Sequence, residues 1–468
     1  MQYISTRGGD GPLGFEDTLL SGLARDGGLF VPQSYPQLSA DDWRALKGKS
    51  YQEIATAMMA RFTEGEIDEA EMSAMVEETY QGFSHPDVAP LKDIGDGIHV
   101  CELFHGPTIA FKDYAMQFLS RAFDRALKAR GKRAVILGAT SGDTGSAALE
   151  AFQGRDFVDI FILFPDGRVS PIQERQMTSV VADGAFAVAV DGDFDACQDA
   201  VKALFRDLEF RDRVGLSAIN SINWARLMPQ IVYYVTSALE LGAPEKPVAF
   251  AVPTGNFGNI FAGYVAKQMG LPISTLICAS NRNDILTRFF ESGAMQRQSV
   301  EPSLSPSMDI QVSSNFERLL FEMLGRDHKT VQRLMAEFAE TGRFDVAQDI
   351  LGTAKQLFQA WRLDDDGTLA EIARVKAATG MVLDPHSAVG VYAAHQAREQ
   401  GRVDAETPIV ALACAHPAKF PDAVEKATGE RPALPPHLSD LMDRETQMHH
   451  ISSQPQDIAD FVDQMKRQ

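Results

Sequence analysis

One lysine in this chain stands where a reactive amine would be placed. Lys112 lies in residues 104–114, FHGPTIAFKDY, a compact and largely uncharged run. Gly106 and Pro107 make a turn. The following AMQFLSRAFDRAL repeats apolar residues at helical spacing, which puts Lys112 near the first turn of a helix. The helix dipole disfavours a cation there, and apolar neighbours raise the cost of an ammonium further. Both effects bring the free amine needed for a Schiff base within reach. A plainer reading needs no chemistry: the stem packs and the ammonium pairs with Asp113 or Asp124. Taken alone, the stretch favours the plainer reading.

Three further segments carry groups that suit an anion. Residues 138–146, GATSGDTGS, follow a β-rich run at 133–137 and precede a helical pattern at 147–153. Their backbone N–H groups and the hydroxyls of Thr140, Ser141 and Thr144 are donors for a carboxylate or phosphate. An ordinary strand-to-helix turn would read the same way. Residues 253–259, PTGNFGN, lie between a buried-strand pattern at 248–252 and a helix at 260–269, and add Thr254, Asn256 and Asn259. They suggest a phosphate cradle without a Walker lysine. Neither loop is G-x-G-x-x-G or G-x-x-x-x-G-K-[ST], so neither a dinucleotide nor a nucleoside triphosphate is indicated. Residues 220–226, NSINWAR, set Asn223 and Arg226 three apart, close enough to bind an oxyanion together. The alternative is helix capping by Asn223 with Arg226 on the surface.

These segments need a frame. The chain has 468 residues and is 45% hydrophobic, enough for two or three domains. β-α alternation from 133 to 280 predicts parallel sheets with loops at their ligand-binding edges. Residues 1–95 read as a mostly helical layer, with helices expected at 15–23, 51–62 and 66–80. Further helices are expected at 314–340, 344–361, 368–378, 388–399 and 456–466. His386 reads equally as a satisfied core histidine and as a catalytic one. The net charge of −20 disfavours nucleic acid and anionic membranes as partners. The cysteines at 101, 197, 278 and 414 form no CxxC, so neither a metal site nor a disulfide framework is expected. No signal peptide or membrane-spanning run is evident, and a cytoplasmic location is expected.

Taken together, YISTRG at 3–8, GLARDGGLFVP at 22–32, HGPTIAFKD at 105–113, GATSGDTG at 138–145, NSINWAR at 220–226, PTGNFGN at 253–259, SPSMDI at 305–310 and AHPAKF at 415–420 resemble the threonine synthase family. These are pyridoxal-phosphate enzymes of fold type II, the tryptophan synthase β-like group, and the likeness spans nearly the whole chain. It implies an α/β protein with two parallel-sheet domains and an N-terminal, mostly helical domain. The expected division is 1–95; 96–130 with 220–430 as the large cofactor domain; 131–219 as the small domain; and 431–468 as a C-terminal extension. Lys112 would form the Schiff base with pyridoxal 5'-phosphate and act as the base. Gly255, Asn256, Phe257, Gly258 and Asn259 would hold the cofactor phosphate. Phe111 would support the ring, and Asp143 would lie near the ring hydroxyl. Cys414 falls where relatives of this fold usually place serine or threonine beside the pyridine nitrogen. That is a departure, since a thiol is the weaker hydrogen-bonding group.

The resemblance further implies a carbon–oxygen lyase acting on O-phospho-L-homoserine, by γ-elimination and β-addition of water, in the last step of threonine biosynthesis. Thr140, Ser141, Gly142 and Thr144 would bind the amino-acid carboxylate. Asn223 and Arg226, with Lys419 and Ser307 behind them, would bind the substrate phosphate. Closure of the small domain over the ligand is expected to exclude water. The rival is another pyridoxal-phosphate lyase, such as a threonine or serine dehydratase, which would not need Arg226. Monomer and homodimer both stay open.

Overall fold

Two sheets carry the segments singled out above, and both send them from the carboxyl ends of parallel strands. The coordinates are a computed structural model that describes residues 1–140 and 142–467. The larger sheet has six strands, in the order Phe358–Arg362, Ile273–Ser280, Val248–Pro253, Ile409–Ala413, Ile98–Glu102, Leu91–Asp93. All neighbours run parallel except the last pair. Val248–Pro253 and Ile409–Ala413 are buried at every residue. Their unbroken apolar sequences, VAFAVP and IVALA, are what a strand covered by helices on both faces requires. The smaller sheet is wholly parallel, in the order His449–Ile451, Ala185–Val190, Val158–Pro165, Ala134–Ala139, Leu216–Ser217.

The strand ends converge. Ala134–Ala139 leads through the first small-residue loop into helix Asp143–Phe152, and Val248–Pro253 leads through the second into helix Gly258–Gln268. Ile98–Glu102 feeds the turn before helix Lys112–Arg130. Ile409–Ala413 feeds the short 3-10 turn Pro417–Lys419. This is the crevice where open parallel sheets bind ligands.

The expected helix at 344–361 does not form. The segment divides into strand Arg343–Asp345, helix Gln348–Ala354 and strand Phe358–Arg362. The last of these pairs with Ile273–Ser280 from Leu276↔Phe358 to Ser280↔Arg362. A helix there would leave that ladder of backbone groups unpaired, and FQAWR carries two aromatic residues that suit a pleated surface. At the other end of the chain, His449–Ile451 extends the smaller sheet. Helix Pro455–Met465 lays Ile458, Ala459, Val462 and Phe461 against Phe161 and Phe186. The backbone N–H and Nε of Arg467 donate to Asp159 at 2.9 and 2.6 Å.

The N-terminal layer combines the antiparallel pair Tyr3–Ser5 and Phe30–Pro32 with helices Phe15–Ser21, Ala40–Leu46, Tyr51–Phe62 and Glu69–Tyr80. Capping boxes at Ser39/Asp42 and Ser50/Glu53 start two of the helices. Arg318 ties this layer to the site. It is fully buried, and its guanidinium reaches no carboxylate among the described residues. Nε and Nη2 donate to Phe30 O at 3.0 and 2.9 Å, Nη2 to Ile222 O at 2.6 Å, and Nη1 to Asn315 Oδ1. Asn315 in turn donates from its backbone N and from Nδ2 to Asn256 O, both at 3.0 Å. One side chain thus joins the N-terminal hairpin, the 220–226 segment and the 253–259 loop. Arg318→Met keeps the volume and strands three buried acceptors. It is expected to destabilise the protein by at least about 3 kcal/mol, read as a drop of several degrees in the thermal unfolding midpoint of the full chain.

Candidate active site

Lys112 is the first residue of its helix. The preceding turn is stitched to the end of strand Ile409–Ala413: Phe111 N donates to Cys414 O at 2.8 Å, and His416 N donates to Ile109 O at 3.0 Å. The two carboxylates of the plainer reading are committed elsewhere. Asp113 accepts from Thr108 N at 2.8 Å and Thr108 Oγ1 at 2.6 Å, and Asp124 accepts from Phe157 N at 2.8 Å. Lys112 Nζ instead lies 3.3 Å from Ser307 Oγ, 3.6 Å from Asp143 Oδ2 and 5.9 Å from the centre of the Phe111 ring. Burial lowers its proton affinity; Asp143 works against this, and Lys419 and Arg226 reinforce it.

Asp143 is the centre of the cluster. Its Oδ1 accepts from Lys419 Nζ at 3.0 Å and Gln173 Nε2 at 2.9 Å, and its Oδ2 from Ser307 Oγ at 3.3 Å. Burial alone would raise its pKa. Lys419 and Lys112 outweigh burial and hold it far below the ordinary carboxylate range. Ser307 is itself held by His386, whose Nε2 accepts from Ser307 N at 3.2 Å. The ring proton therefore sits on Nδ1, 2.9 Å from Asp384 Oδ1. Cys414 N donates to Ser387 Oγ at 2.9 Å, and Ser387 donates to the same Asp384. The Cys414 thiol is buried within the electrostatic reach of Lys112. Burial, then Asp384, keep it protonated.

The two small-residue loops are built differently. In the first, Thr140 Oγ1 accepts from Gly142 N at 3.0 Å and Gly145 N at 2.9 Å, so two of the N–H groups bind the loop itself. Gly142 has φ 144°, and a Cβ there would lie 2.3 Å from Gln173, the residue that reaches Asp143. Thr144 is half-buried in the first turn of helix Asp143–Phe152, and Ser141 lies outside the described residues. In the second loop, Ser313 Oγ donates to Gly255 O at 2.7 Å and Ser314 Oγ to Asn256 Oδ1 at 3.2 Å. Phe257 adopts φ 63°, which turns its ring against Phe316 and Phe358 and leaves only its backbone for the site. Gly255 passes close to the turn that carries Ser307; a Cβ there would lie 3.0 Å from Ser307 O.

Among the buried donors without a partner among the described residues are Asn259 Nδ2 and Arg226 Nε. Arg226 is 5% exposed. Nη1 donates to Ile219 O at 2.9 Å, and no carboxylate pairs with it among the described residues. Burial pulls its pKa down to about 10. Buried donors without acceptors are costly, and these two, beside a weakly basic lysine and a helix N-terminus, ask for an anion.

Comparison with known proteins decides which kind. A family model of the threonine synthase N terminus matches residues 2–80, one of pyridoxal-phosphate dependent enzymes 88–346, and one of the threonine synthase C-terminal region 387–462. A threonine synthase of Pseudomonas aeruginosa is 50% identical over 465 residues, 99% of this chain and 98% of that protein. The crystal structure of a PLP-bound threonine synthase from Brucella melitensis superposes with a TM-score of 0.97 at 54% identity, covering 100% of both chains. That of the yeast threonine synthase gives 0.94 at 37% identity, covering 99% of this chain and 98% of the other. The chain belongs to the threonine synthase family.

A threonine synthase fold of this type is a pyridoxal-phosphate fold, and the cofactor is pyridoxal phosphate. The residues present fit it: a buried amine of lowered basicity, the start of helix Gly258–Gln268, and the orphaned Asn259 Nδ2. Asn259 is aimed by two phenols. Tyr233 OH donates to its Oδ1 at 2.7 Å, and Tyr234 OH is shared between Asn259 O at 2.9 Å and Oδ1 at 3.1 Å, which fixes the amide with Nδ2 on the opposite side. Nothing in the local sequence around 233–234 signals this, because the contact spans 25 and 26 residues.

Two of the expected substrate-binding groups already have partners within the chain. Asn223 is spent as the cap of helix Trp224–Leu227: its Oδ1 accepts from Ala225 N at 3.0 Å and its Nδ2 donates to Leu19 O at 2.9 Å. Lys419 is fully buried between Asp143 and Thr108 O, the latter at 3.0 Å. Both side chains already have their partners. Arg226, by contrast, is not on the surface. Sequence reasoning left His386 open and missed Gln173; the pair Asp384 and His386 in DPHS was the available signal for the former. Replacing both Tyr233 and Tyr234 by Phe frees the Asn259 amide to rotate. Pyridoxal phosphate is then expected to bind about tenfold more weakly, one net hydrogen bond, with the fold retained, as equilibrium dialysis would measure.

Proposed function

We propose that the chain converts O-phospho-L-homoserine and water into L-threonine and inorganic phosphate, the last step of threonine biosynthesis, in the cytoplasm. The observation that carries the reading is Arg226. It is a buried guanidinium without a carboxylate partner among the described residues, close enough to Lys112 to lower its basicity. A substrate with a phosphate of its own would supply the missing charge. A dehydratase acting on serine or threonine has no use for such a group.

When bound, pyridoxal phosphate supplies the electron sink that makes the substrate's Cα and Cβ protons acidic. The chain supplies the rest. The 253–259 loop and Asn259 Nδ2 would hold the cofactor phosphate, and Phe111 would support the ring. Thr140 and Thr144 with the start of helix Asp143–Phe152 take the substrate carboxylate, and the expectation for Ser141 and Gly142 stands with them. Lys112 Nζ takes the proton from Cα and would lodge it on the bound cofactor, then takes one from Cβ and delivers it to Cγ as the phosphate leaves; the lodged proton is the one it later returns to Cα. Arg226 balances the phosphate's charge. Water then adds hydroxide to Cβ, its remaining proton ends on the phosphate, and Lys112 returns a proton to Cα. Ser307 Oγ, between Lys112 Nζ and Asp143, keeps the amine pointed into this space.

The purified protein given phosphohomoserine is expected to release threonine and phosphate in equal amounts. Phosphate with a keto acid, or no turnover, would exclude the synthase reading. Lys112→Ala is expected to abolish the visible absorption of the bound cofactor. Arg226→Ala is expected to lower kcat/KM for phosphohomoserine by about 10- to 100-fold, the worth of a hydrogen bond to a charged group, with cofactor absorption kept. Equal loss of both would move Arg226 to the cofactor phosphate.

A further inference from the structure

The cluster around Lys112 holds more cations than it can neutralise. Lys112 and Lys419 are both buried and both face Asp143. Their geometries differ. Lys419 Nζ lies 3.0 Å from Oδ1, and Thr108 O accepts from the same ammonium at 3.0 Å. Lys112 Nζ lies 3.6 Å from Oδ2, beyond hydrogen-bond distance, with Ser307 Oγ as its nearest partner. Gln173 donates to the same Oδ1 and keeps the carboxylate turned toward Lys419. We propose that Lys419 is a positioning residue that takes Asp143 as its own counter-ion, so that Lys112 is left as the surplus cation of the site and gives up its proton.

The neighbouring charges agree with this division. Arg226 on helix Trp224–Leu227 adds positive charge near Lys112, and the Cys414 thiol adds none while protonated. His386 faces Asp143 from helix Pro385–Glu399, with Asp384 paired behind it. Asp113 faces Lys419, not Lys112, and burial lifts its pKa to about 6. Among the described residues Lys112 thus has no carboxylate but the one it shares with Lys419. An Asp143 free of Lys419 would hold a proton on the amine that must attach the cofactor and act as base. The role is independent of which substrate the protein uses.

The test is the pH midpoint of the visible absorption of the cofactor-loaded protein, read without substrate. Lys419→Met leaves Asp143 to Lys112, and the midpoint is expected to rise by at least one pH unit, a tenfold gain in proton affinity. Lys419→Arg keeps the charge and is expected to stay near wild type; Asp143→Asn is expected to fall below it. The double variant K419M/D143N removes the pair together and buries no unpaired charge. It is expected to return near the wild-type midpoint, even if K419M alone does not fold. A midpoint unmoved in folded K419M would overturn the proposal, and so would a double variant that falls as far as D143N. The second result would make Asp143 the partner of Lys112. A merely structural Lys419 would lower cofactor content or thermal stability and leave the midpoint in place.

Discussion

One carboxylate stands between two buried ammoniums, and the site is arranged around that imbalance. Asp143 stays ionised against burial because Lys419 and Lys112 both favour its charge. A single negative charge cannot neutralise two cations, and the geometry divides it unequally, 3.0 Å against 3.6 Å. The less favoured lysine is the one to which we assign the chemistry. Gln173 on Oδ1 and Ser307 on Oδ2 hold the carboxylate in this attitude. Ser307 is fixed in turn through His386 and Asp384. Each link is a hydrogen bond to a charged or strongly polar partner, the kind that costs most to break once buried.

The frame that holds these groups is the convergence of strand ends. Asp143 comes from the smaller sheet and Lys112, Lys419 and the second small-residue loop from the larger one. A relative movement of the two sheets would change the distances on which the basicity of Lys112 depends. The N-terminal layer stiffens one side of this frame. Through Arg318 and Asn315 it is bonded to the 220–226 segment and to the 253–259 loop, so a layer without chemical groups of its own still sets where phosphate donors lie.

Unpaired donors define what the site lacks. Asn259 Nδ2 and Arg226 Nε are buried without acceptors among the described residues, and a ligand is one way in which such a cost is offset. In the proposed function the cofactor phosphate accounts for the first. A second anion, the phosphate of the proposed substrate, accounts for the second. The acidic surface, net −20, does not oppose this. Local donors inside a cleft, not the average charge, decide what binds there.

Sequence alone was enough for the alternation of strands and helices, the two small-residue loops, the lysine at a helix start and the family they resemble. These are local patterns: apolar periodicity, glycine where the backbone must turn tightly, and short motifs that sit within one strand–loop–helix unit. The edge strand Phe358–Arg362 was not legible, because its backbone conformation depends on Ile273–Ser280, some 80 residues earlier. Nor were the partners of the site residues. Asn223 and Lys419 are of the right type to bind phosphate, and only the folded chain brings Leu19 to one and Asp143 to the other. The sequence determined which groups the protein owns. Tertiary structure decided which of them are already satisfied, because hydrogen bonds and ion pairs between distant segments exist only after the sheets have packed.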